Sequence, residues 1–215
     1  MFKGFREDIA AIMERDPAAR SAWEVWFLYP GFRAIRMHRK AHKLYQKGRF
    51  FRARMISERA RKKTGIEIHP GAVIGKGVLI DHGSGVVIGE TAVVGDNCTI
   101  YQGVTLGGTG KDTGKRHPTI GSHVMIGSGA RVLGPVTVGD HAKIAAGAVV
   151  LGEVPPNATC VGVPARVVRI NGRKVEDLDQ VNIPDPVAQE LCRLNMRVEA
   201  MSKKLEERTK ENAAQ

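Results

Sequence analysis

The hydrophobic positions of this chain follow a six-residue period over more than a third of its length. Aliphatic residues recur every six positions, with one step of eight and one of fourteen, at Ile68, Ile74, Ile80, Ile88, Val94, Ile100, Leu106, Ile120, Ile126, Val132, Val138, Ile144 and Val150. Such a repeat is typical of a parallel β-helix, in which each hexad forms a short strand and a turn and three hexads make a triangular coil. These positions predict about four coils.

The residues before the repeat carry helix signals instead. Asp16-Pro17 is predicted to begin a helix, because Asp accepts hydrogen bonds from free N–H groups and Pro fits the first turn. Two further helices are predicted over about 31–46 and 50–63, each followed closely by a glycine. The chain thus divides into a helical N-terminal region (1–65), a β-helix (66–170), and a linker with a C-terminal helix (171–215).

The C-terminal segment has a second apolar pattern. Asp185-Pro186 is predicted to begin its helix, and apolar residues follow with spacings of 4, 3, 4, 3 and 4 at Val187, Leu191, Leu194, Val198, Met201 and Leu205. This is the a/d seam of a short coiled coil. A helix packed on its own domain is the alternative, but the polar remainder of the segment favours self-association.

Composition fits this picture and adds a strong positive charge. Aromatic residues make up only 5% of the chain and glycines number 25, which suits thin layers joined by tight corners. The formal net charge is +11, and Lys and Arg are concentrated between Arg33 and Lys63. A solvated helical face, attraction of an anionic substrate, and nucleic-acid binding all remain open, although no nucleic-acid motif accompanies the charge.

The expected location is cytoplasmic. No apolar run has the length of a membrane span, and the first residues lack the apolar stretch of a signal peptide. The three cysteines, Cys98, Cys160 and Cys192, are too few and too widely spaced for a disulfide framework. We therefore expect neither a membrane nor a nucleic-acid partner.

Two interruptions of the repeat carry the candidate chemistry. Asp81-His82 lies in the eight-residue step, where a histidine can leave the packed wall and act as a general base, since imidazole titrates near neutrality. A solvent-exposed corner histidine is the alternative. The fourteen-residue step encloses residues 107–119, which are polar and glycine-rich and must loop out of the coil. Polar loops on a rigid scaffold often carry function.

Several motifs resemble the serine O-acetyltransferases of bacteria and plants. They are Arg15-Asp16-Pro17-Ala18, Glu67-Ile68-His69-Pro70, Ile80-Asp81-His82-Gly83, Val87-Ile88-Gly89-Glu90-Thr91, the run from Gln102 to Lys111, Lys115-Arg116-His117-Pro118 and Val161-Gly162-Val163-Pro164-Ala165-Arg166. The repeat and the last motif are shared by many hexapeptide acyltransferases, but Asp-His together with Arg-His-Pro is more specific. The resemblance covers about residues 5–170 and implies a left-handed coil.

The resemblance also implies roles for individual residues. His82 would take the proton of the serine hydroxyl, and Glu67 would orient His82 as the acid of a dyad. Many members carry Asp at the position of Glu67, so the longer side chain here puts the geometry of that hydrogen bond in question. The residues that would hold serine are Asp16, Asp81, Arg116 and His117.

Acetyl-CoA would be the co-substrate, and no permanently bound cofactor or metal is implied. Its expected contacts are Gly108, Thr109, Ser128, Lys143, Ala146 and Arg166, with Lys143 or Arg166 near the CoA phosphates. Because no cysteine falls in the matched motifs, direct transfer in a ternary complex is expected rather than an acyl-enzyme.

Family membership further implies partners and regulation. Members form homotrimers with CoA grooves between neighbouring β-helices, and L-cysteine inhibits many of them at the serine site. Many also insert a C-terminal Ile into O-acetylserine sulfhydrylase. This sequence ends at Gln215 without that Ile, so we do not expect that complex.

Three other functions fit parts of the sequence. An acetyltransferase for a sugar or homoserine would keep the mechanism and change the pocket. A γ-class carbonic anhydrase, also a left-handed β-helix, would need three zinc-binding histidines, for which His82, His117 and His123 are available by count. A non-catalytic scaffold would not need the Asp-His and Arg-His pairs. His38 and His42, one helical turn apart, could bind a metal, but helix packing explains them better.

Overall fold

The computed structural model describes residues 5–110, 113–171, 193–198 and 201–202. The chain divides into two compact units, Met1–Ile183 and Pro184–Gln215. Within the second unit, 193–198 and 201–202 are helical, and the seam residues Leu194, Val198 and Met201 are exposed. The remaining positions of the predicted C-terminal helix and seam lie outside the described residues: Asp185, Pro186, Val187, Leu191 and Leu205. The coiled coil stays a prediction.

The N-terminal region folds into four helices. They are α1 (Arg6–Arg15), α2 (Ala22–Leu28), α3 (Pro30–Gln46) and α4 (Phe50–Thr64). The helices predicted over 31–46 and 50–63 correspond to α3 and α4 within one residue at each end. Within the described ranges, no helix has both the length and the apolarity needed to cross a bilayer.

The helix predicted to begin at Asp16-Pro17 is wrong. Asp16 instead ends α1, with its backbone N–H donating to the carbonyl of Ile12 at 2.8 Å. The next helix begins after Ser21, whose hydroxyl accepts from the Glu24 N–H at 3.2 Å. The Glu24 carboxylate in turn accepts from the N–H of Arg20 at 3.0 Å. A Ser-x-x-Glu capping arrangement therefore outcompetes the Asp-Pro signal.

The six-residue repeat forms a left-handed parallel β-helix, as expected. All thirteen predicted aliphatic positions lie on its strands: β1 (Glu67–Ile68), β2 (Val73–Ile74), β3 (Leu79–Ile80), β4 (Val87–Ile88), β5 (Val93–Val94), β6 (Thr99–Ile100), β7 (Thr105–Gly107), β8 (Thr119–Ile120), β9 (Met125–Ile126), β10 (Arg131–Leu133), β11 (Thr137–Val138), β12 (Lys143–Ile144) and β13 (Val149–Val150). Two longer strands, β14 (Ala158–Val161) and β15 (Arg166–Ile170), pair antiparallel at the end of the helix.

The strands form the three walls of a triangular prism. Sheet A contains β1, β4, β7, β10 and β13, sheet B contains β2, β5, β8 and β11, and sheet C contains β3, β6, β9, β12, β14 and β15. Consecutive coils pair in register, so Ile68 lies beside Ile88 and Ile88 beside Leu106. One aliphatic side chain per strand points inward, and these residues form one continuous core along the prism.

The turns between the walls stack into three corners. The A–B corner contains the turns 69–72 and 89–92, the long loop 108–118 and the turn 134–136. The C–A corner contains the turns 81–86, 101–104, 127–130 and 145–148. The loop predicted in the fourteen-residue step therefore leaves the prism at the A–B corner. The enlarged turn around His82 belongs to the C–A corner.

Helices α3 and α4 cover the first coil of the prism. Ala34 and Ile35 of α3 enter the β-helix core, and the Ser57 hydroxyl of α4 donates to the carbonyl of Ile68 at 2.7 Å. Near its N-terminus, α3 approaches the backbone of β3 so closely that a side chain at Gly31 would overlap the carbonyl of Ile80. The absence of a side chain at Gly31 thus sets the height of α3 above the strand that leads into the His82 turn.

Candidate active site

His82 occupies an exposed turn at the C–A corner. The Asp81 N–H donates to the carbonyl of Ile100 at 2.8 Å, and the Gly83 N–H donates back to the Asp81 carbonyl at 2.6 Å. His82 itself has a left-handed backbone, with φ of 55°, which is uncommon for a residue with a side chain. Together these features leave the imidazole outside the packed wall and exposed at a corner, a position that fits both the predicted base and the alternative of a solvent-exposed corner histidine.

Tyr29 connects an acidic residue of the helical region, Asp16, with the charge of Asp81 in this turn. The Tyr29 hydroxyl donates to Oδ2 of Asp16 at 2.7 Å, and the Ala18 N–H donates to Oδ1 at 2.8 Å. Burial, the hydrogen bond to Asp16 and nearby carboxylates, including Asp81, raise the pKa of Tyr29 well above its usual value. The structure therefore brings Asp16 and Asp81 within electrostatic reach of the same phenol.

Glu67 does not form the predicted hydrogen bond with His82 in this structure. Its carboxylate lies instead 3.6 Å from the Arg54 guanidinium and 3.9 Å from that of Arg61, both on α4. The segment before Glu67 does contact the histidine turn, because the Gly85 N–H donates to the carbonyl of Gly65 at 3.0 Å. The longer glutamate side chain reaches the basic face of α4, and its role in a dyad stays a prediction.

Arg116 lies at the other corner, where Glu90 holds it. Its guanidinium forms an ion pair with Glu90 at 2.5 Å, and the Tyr45 hydroxyl of α3 donates to the second Glu90 oxygen at 2.8 Å. These two partners, the Tyr45 hydrogen bond first and then Arg116, lower the pKa of Glu90. Glu90 is thus ionised at neutral pH and restrains the arginine on one side.

His117 is buried next to Arg116 and has a defined tautomer. The Thr91 N–H donates to its Nδ1 at 3.2 Å, and the Thr91 hydroxyl lies 2.9 Å from the same atom. Nδ1 is therefore an acceptor, and the proton of the neutral ring is on Nε2. Burial, and then the Arg116 charge, lower the pKa of His117. Its ring lies over Gly89, where a side chain would overlap it.

The predicted serine-binding residues thus form two groups on different corners. Asp81 and His82 lie at the C–A corner, and Asp16, at the end of α1, is linked to them through Tyr29, while Arg116 and His117 extend from the A–B corner. The sequence prediction named these residues but missed their supports, Tyr29, Tyr45, Glu90 and Thr91. Glu90 and Thr91 lie within a matched motif and so could have been suspected. Neither tyrosine carries a sequence signal, because each contact depends on where α3 packs.

Comparisons with known proteins agree with this architecture. Residues 117–152 match the family model of the bacterial transferase hexapeptide (six repeats), and residues 85–108 match that of the hexapeptide repeat of succinyl-transferase. A serine acetyltransferase of Bacillus licheniformis is 53% identical over 98% of this chain and 98% of its own. One from Synechococcus elongatus is 52% identical over 96% of this chain and 84% of its own. The chain belongs to the serine acetyltransferase family.

Solved structures of serine acetyltransferases have the same fold. That of Neisseria gonorrhoeae in complex with serine superposes with a TM-score of 0.73, at 48% identity, covering 76% of this chain and 66% of that one. The Brucella abortus enzyme in complex with coenzyme A gives 0.76 at 49% identity, covering 78% and 67%. A serine acetyltransferase in complex with cysteine gives 0.78 at 42% identity, covering 83% and 69%.

The residues predicted to contact acetyl-CoA also divide between the corners of this acetyltransferase. Gly108 and Thr109 begin the long loop at the A–B corner, whereas Ser128 and Ala146 lie in the same column of C–A turns as His82. The Ser128 carbonyl accepts from the Gly147 N–H of the next coil at 2.8 Å, so this column is continuous. The two basic candidates lie on strands of sheet C: Lys143 on β12 and Arg166 on β15.

Two cysteines of this family member are buried in its core. Cys98 and Cys160 point into the prism, and burial raises the pKa of each thiol to about 11. Neither is placed to act as a nucleophile. Cys192 lies outside the described residues.

The histidines that suggested a zinc enzyme do not converge within one chain. His82 lies at the C–A corner, His117 at the A–B corner and His123 at the B–C corner. Within the described ranges, no three His, Cys, Asp or Glu side chains form a group that could hold a metal ion. His38 is buried in α3, and Nδ1 of His42 donates a hydrogen bond to the carbonyl of Pro70 at 2.8 Å, so both serve helix packing.

Proposed function

We propose that this member of the serine acetyltransferase family transfers the acetyl group of acetyl-CoA to the hydroxyl of L-serine, giving O-acetyl-L-serine and CoA. The observation that carries the proposal is the acidic group beside His82. Asp16 and Asp81 offer carboxylates to an α-ammonium group, and the exposed imidazole next to Asp81 is available to the β-hydroxyl. An amino acid with a hydroxyl two bonds from its ammonium-bearing carbon fits this combination.

The proposed reaction needs two proton transfers, one to His82 and one from it. His82 takes the proton of the serine hydroxyl as its oxygen attacks the thioester carbonyl of acetyl-CoA. The tetrahedral intermediate collapses, the carbon–sulfur bond breaks, and the imidazolium returns the proton to the CoA sulfur. Glu67 would stabilise the imidazolium charge. It begins β1, two residues after Gly65, whose carbonyl is bonded to the His82 turn. No covalent acyl-enzyme is required.

The complete site is proposed to form between two copies of the chain. Serine carries an ammonium and a carboxylate only a few ångströms apart, yet the acidic group and Arg116 occupy different corners of one prism. A neighbouring copy can present its A–B corner to the C–A corner of the first. The division of Gly108 from Ser128 suggests that acetyl-CoA lies along the same seam. A closed ring of such contacts is heterologous and supports a homotrimer.

L-cysteine fits the same proposed site as an inhibitor. It shares the α-ammonium and α-carboxylate of serine and differs in one atom, and a related enzyme has been solved in complex with cysteine. A cytoplasmic location also belongs to the proposal and is supported by the free thiols of Cys98 and Cys160.

An acceptor screen tests the activity. Purified protein with acetyl-CoA is expected to release CoA thiol much faster with L-serine than with L-homoserine, a galactoside or water. A mass spectrum of the product should show one acetyl group on serine. Equal rates with a sugar acceptor would contradict the serine assignment and favour the alternative hexapeptide acetyltransferase.

A mixing experiment tests the shared site. His82→Ala and Arg116→Ala chains, each inactive alone at low serine, are co-expressed and purified as mixed trimers. Random mixing restores a complete site wherever an intact His82 faces an intact Arg116, which is about a quarter of the wild-type sites. Light scattering is expected to give three times 23.4 kDa. If the site lay within one chain, mixing would restore nothing.

A further inference from the structure

The phenol of Tyr29 contacts the acidic group beside His82, and it has no role in the reaction proposed above. Its hydroxyl donates to Asp16 Oδ2 at 2.7 Å. The negative charge of Asp81, which belongs to the β-helix, contributes to the raised pKa of the phenol. The side chain is half-buried and follows α2, whose outer surface faces solvent. Tyr29 is therefore bonded to one of the carboxylates that would receive the substrate ammonium, Asp16, and lies within electrostatic reach of the other, Asp81.

The backbone holds this phenol at a fixed position relative to the catalytic turn. Tyr29 is the N-cap residue of α3, and Pro30 occupies the first helical position, where its ring restricts the entry of the chain. The next residue, Gly31, packs directly on the carbonyl of Ile80. Because Ile80 precedes Asp81 in the chain, the entry into α3 and the entry into the His82 turn are packed together.

The hydrogen bonds leave Asp16 well arranged for a cation. Both oxygens already accept one N–H or O–H, from Ala18 and Tyr29, which fixes the plane of the carboxylate. Each oxygen retains a lone pair for a further donor. Among the described residues, none of the ion pairs involves Asp16 or Asp81. An ammonium group would find a preoriented Asp16 carboxylate that has no ion-pair partner among these residues.

We propose that Tyr29 is a positioning residue for the substrate's α-ammonium group, acting by orienting the Asp16 carboxylate. The phenol itself does not touch the reacting atoms. Its raised pKa keeps it a donor throughout the working pH range. The inference rests on the proposed serine acetyltransferase function and extends it to a residue outside the matched motifs.

The first test is Tyr29→Phe, which removes one hydrogen-bond donor and keeps the ring. We expect the KM for L-serine to rise about tenfold, the scale of one charge-assisted hydrogen bond. The kcat and the KM for acetyl-CoA should stay within about twofold of wild type, since the base and the CoA residues are untouched. An unchanged KM for serine would overturn the proposal.

An analogue without the ammonium group separates positioning from general loosening. 3-Hydroxypropanoate keeps the carboxylate and hydroxyl of serine, so its inhibition constant should be the same for wild type and Tyr29→Phe. If binding of this analogue weakens as much as binding of serine, Tyr29 does not act through the ammonium site and the proposal fails.

A double-mutant cycle tests whether the effect passes through Asp16. In an Asp16→Asn background, Tyr29→Phe should raise the serine KM by less than about twofold further, because the group it orients is already altered. Additive tenfold effects would contradict the proposed route. If wild-type protein showed no serine-dependent CoA release, the proposed function itself would be refuted. Failure of the function and failure of the Tyr29 proposal therefore give different results.

Ser21→Ala is the matched structural control. It removes the cap of α2 in the same segment, where the Ser21 hydroxyl accepts from the Glu24 N–H, and leaves the Tyr29–Asp16 bond intact. We expect a lower melting temperature and a serine KM near that of wild type. If Ser21→Ala raised the serine KM as much as Tyr29→Phe, local loosening would explain both variants and the proposal would fall.

Discussion

Glu90 and Arg116 form an ion pair at 2.5 Å, although they are 26 residues apart and lie on different turns of the A–B corner. Tyr45 completes the arrangement by donating to the other Glu90 oxygen. The guanidinium that is proposed to bind the substrate carboxylate is therefore held from one side by an anion. The direction in which its remaining N–H donors point depends on Glu90.

Replacing this anion should weaken serine binding selectively. Glu90→Gln keeps the shape but loses the charge that orients Arg116, so we expect the serine KM to rise about fivefold to tenfold with kcat nearly unchanged. Steady-state kinetics with serine as the varied substrate give the measurement. Glu7→Gln, which breaks an exposed pair with Lys76 at 3.1 Å, is the control and should leave both constants unchanged.

Removing the proposed base should affect turnover rather than binding. His82→Ala is expected to lower kcat by at least about 10²-fold, the usual scale of general-base catalysis, while acetyl-CoA binding persists. His123→Ala is a close control, because His123 is also exposed and left-handed, with φ of 58°, but lies at the B–C corner. Full turnover in the His82 variant would exclude this histidine as the base.

Close packing of α3 on the β-helix should make one glycine sensitive. Gly31→Ala places a methyl group against the carbonyl of Ile80, so α3 must shift, at a cost of about 1–3 kcal/mol in the free energy of unfolding. We also expect a higher serine KM, because Tyr29 moves with α3. Gly152→Ala adds a methyl group where no atom lies within 4 Å and should change neither quantity. Denaturant titration and kinetics distinguish the two variants.

The buried His38 should make the protein less stable in acid. Burial, and then the neighbouring His42, lower its pKa from 6.5 to about 3, with Arg39 and His69 adding smaller effects in the same direction. Between these values the unfolded chain binds a proton that the folded chain excludes, so stability falls as the pH drops below about 6.5. The loss at pH 5 is about 2 kcal/mol.

His38→Gln tests this linkage because glutamine does not titrate. The difference in unfolding free energy between pH 7.5 and pH 5 should shrink by about 2 kcal/mol relative to wild type. His141→Gln, at an exposed position, should leave the difference unchanged. An equal pH dependence in wild type and His38→Gln would show that this histidine is not the responsible group.

Most of the fold was determined by local pattern in the sequence. Each two-residue strand buries one inward side chain, whatever residues the neighbouring coils contain. The six-residue spacing of aliphatic residues therefore located β1–β13 without knowledge of any tertiary contact. The steps of eight and fourteen residues likewise located the His82 turn and the long loop, because extra residues cannot fit within a hexad. One local signal misled, since Ser21 and Glu24 begin α2 where Asp16-Pro17 had been expected to.

The tertiary structure alone decided how the site is divided and supported. The phenol of Tyr29 meets Asp16, and Glu67 pairs with Arg54 instead of His82, because α3 and α4 cross the first coil at a height that Gly31 permits. No sequence period encodes such a crossing. Likewise, family motifs that follow one another closely in the sequence lie on separate corners of the prism, because the chain makes a third of a turn with each hexad. Sequence spacing specifies strands and turns, whereas side-chain contacts between elements depend on how those elements pack.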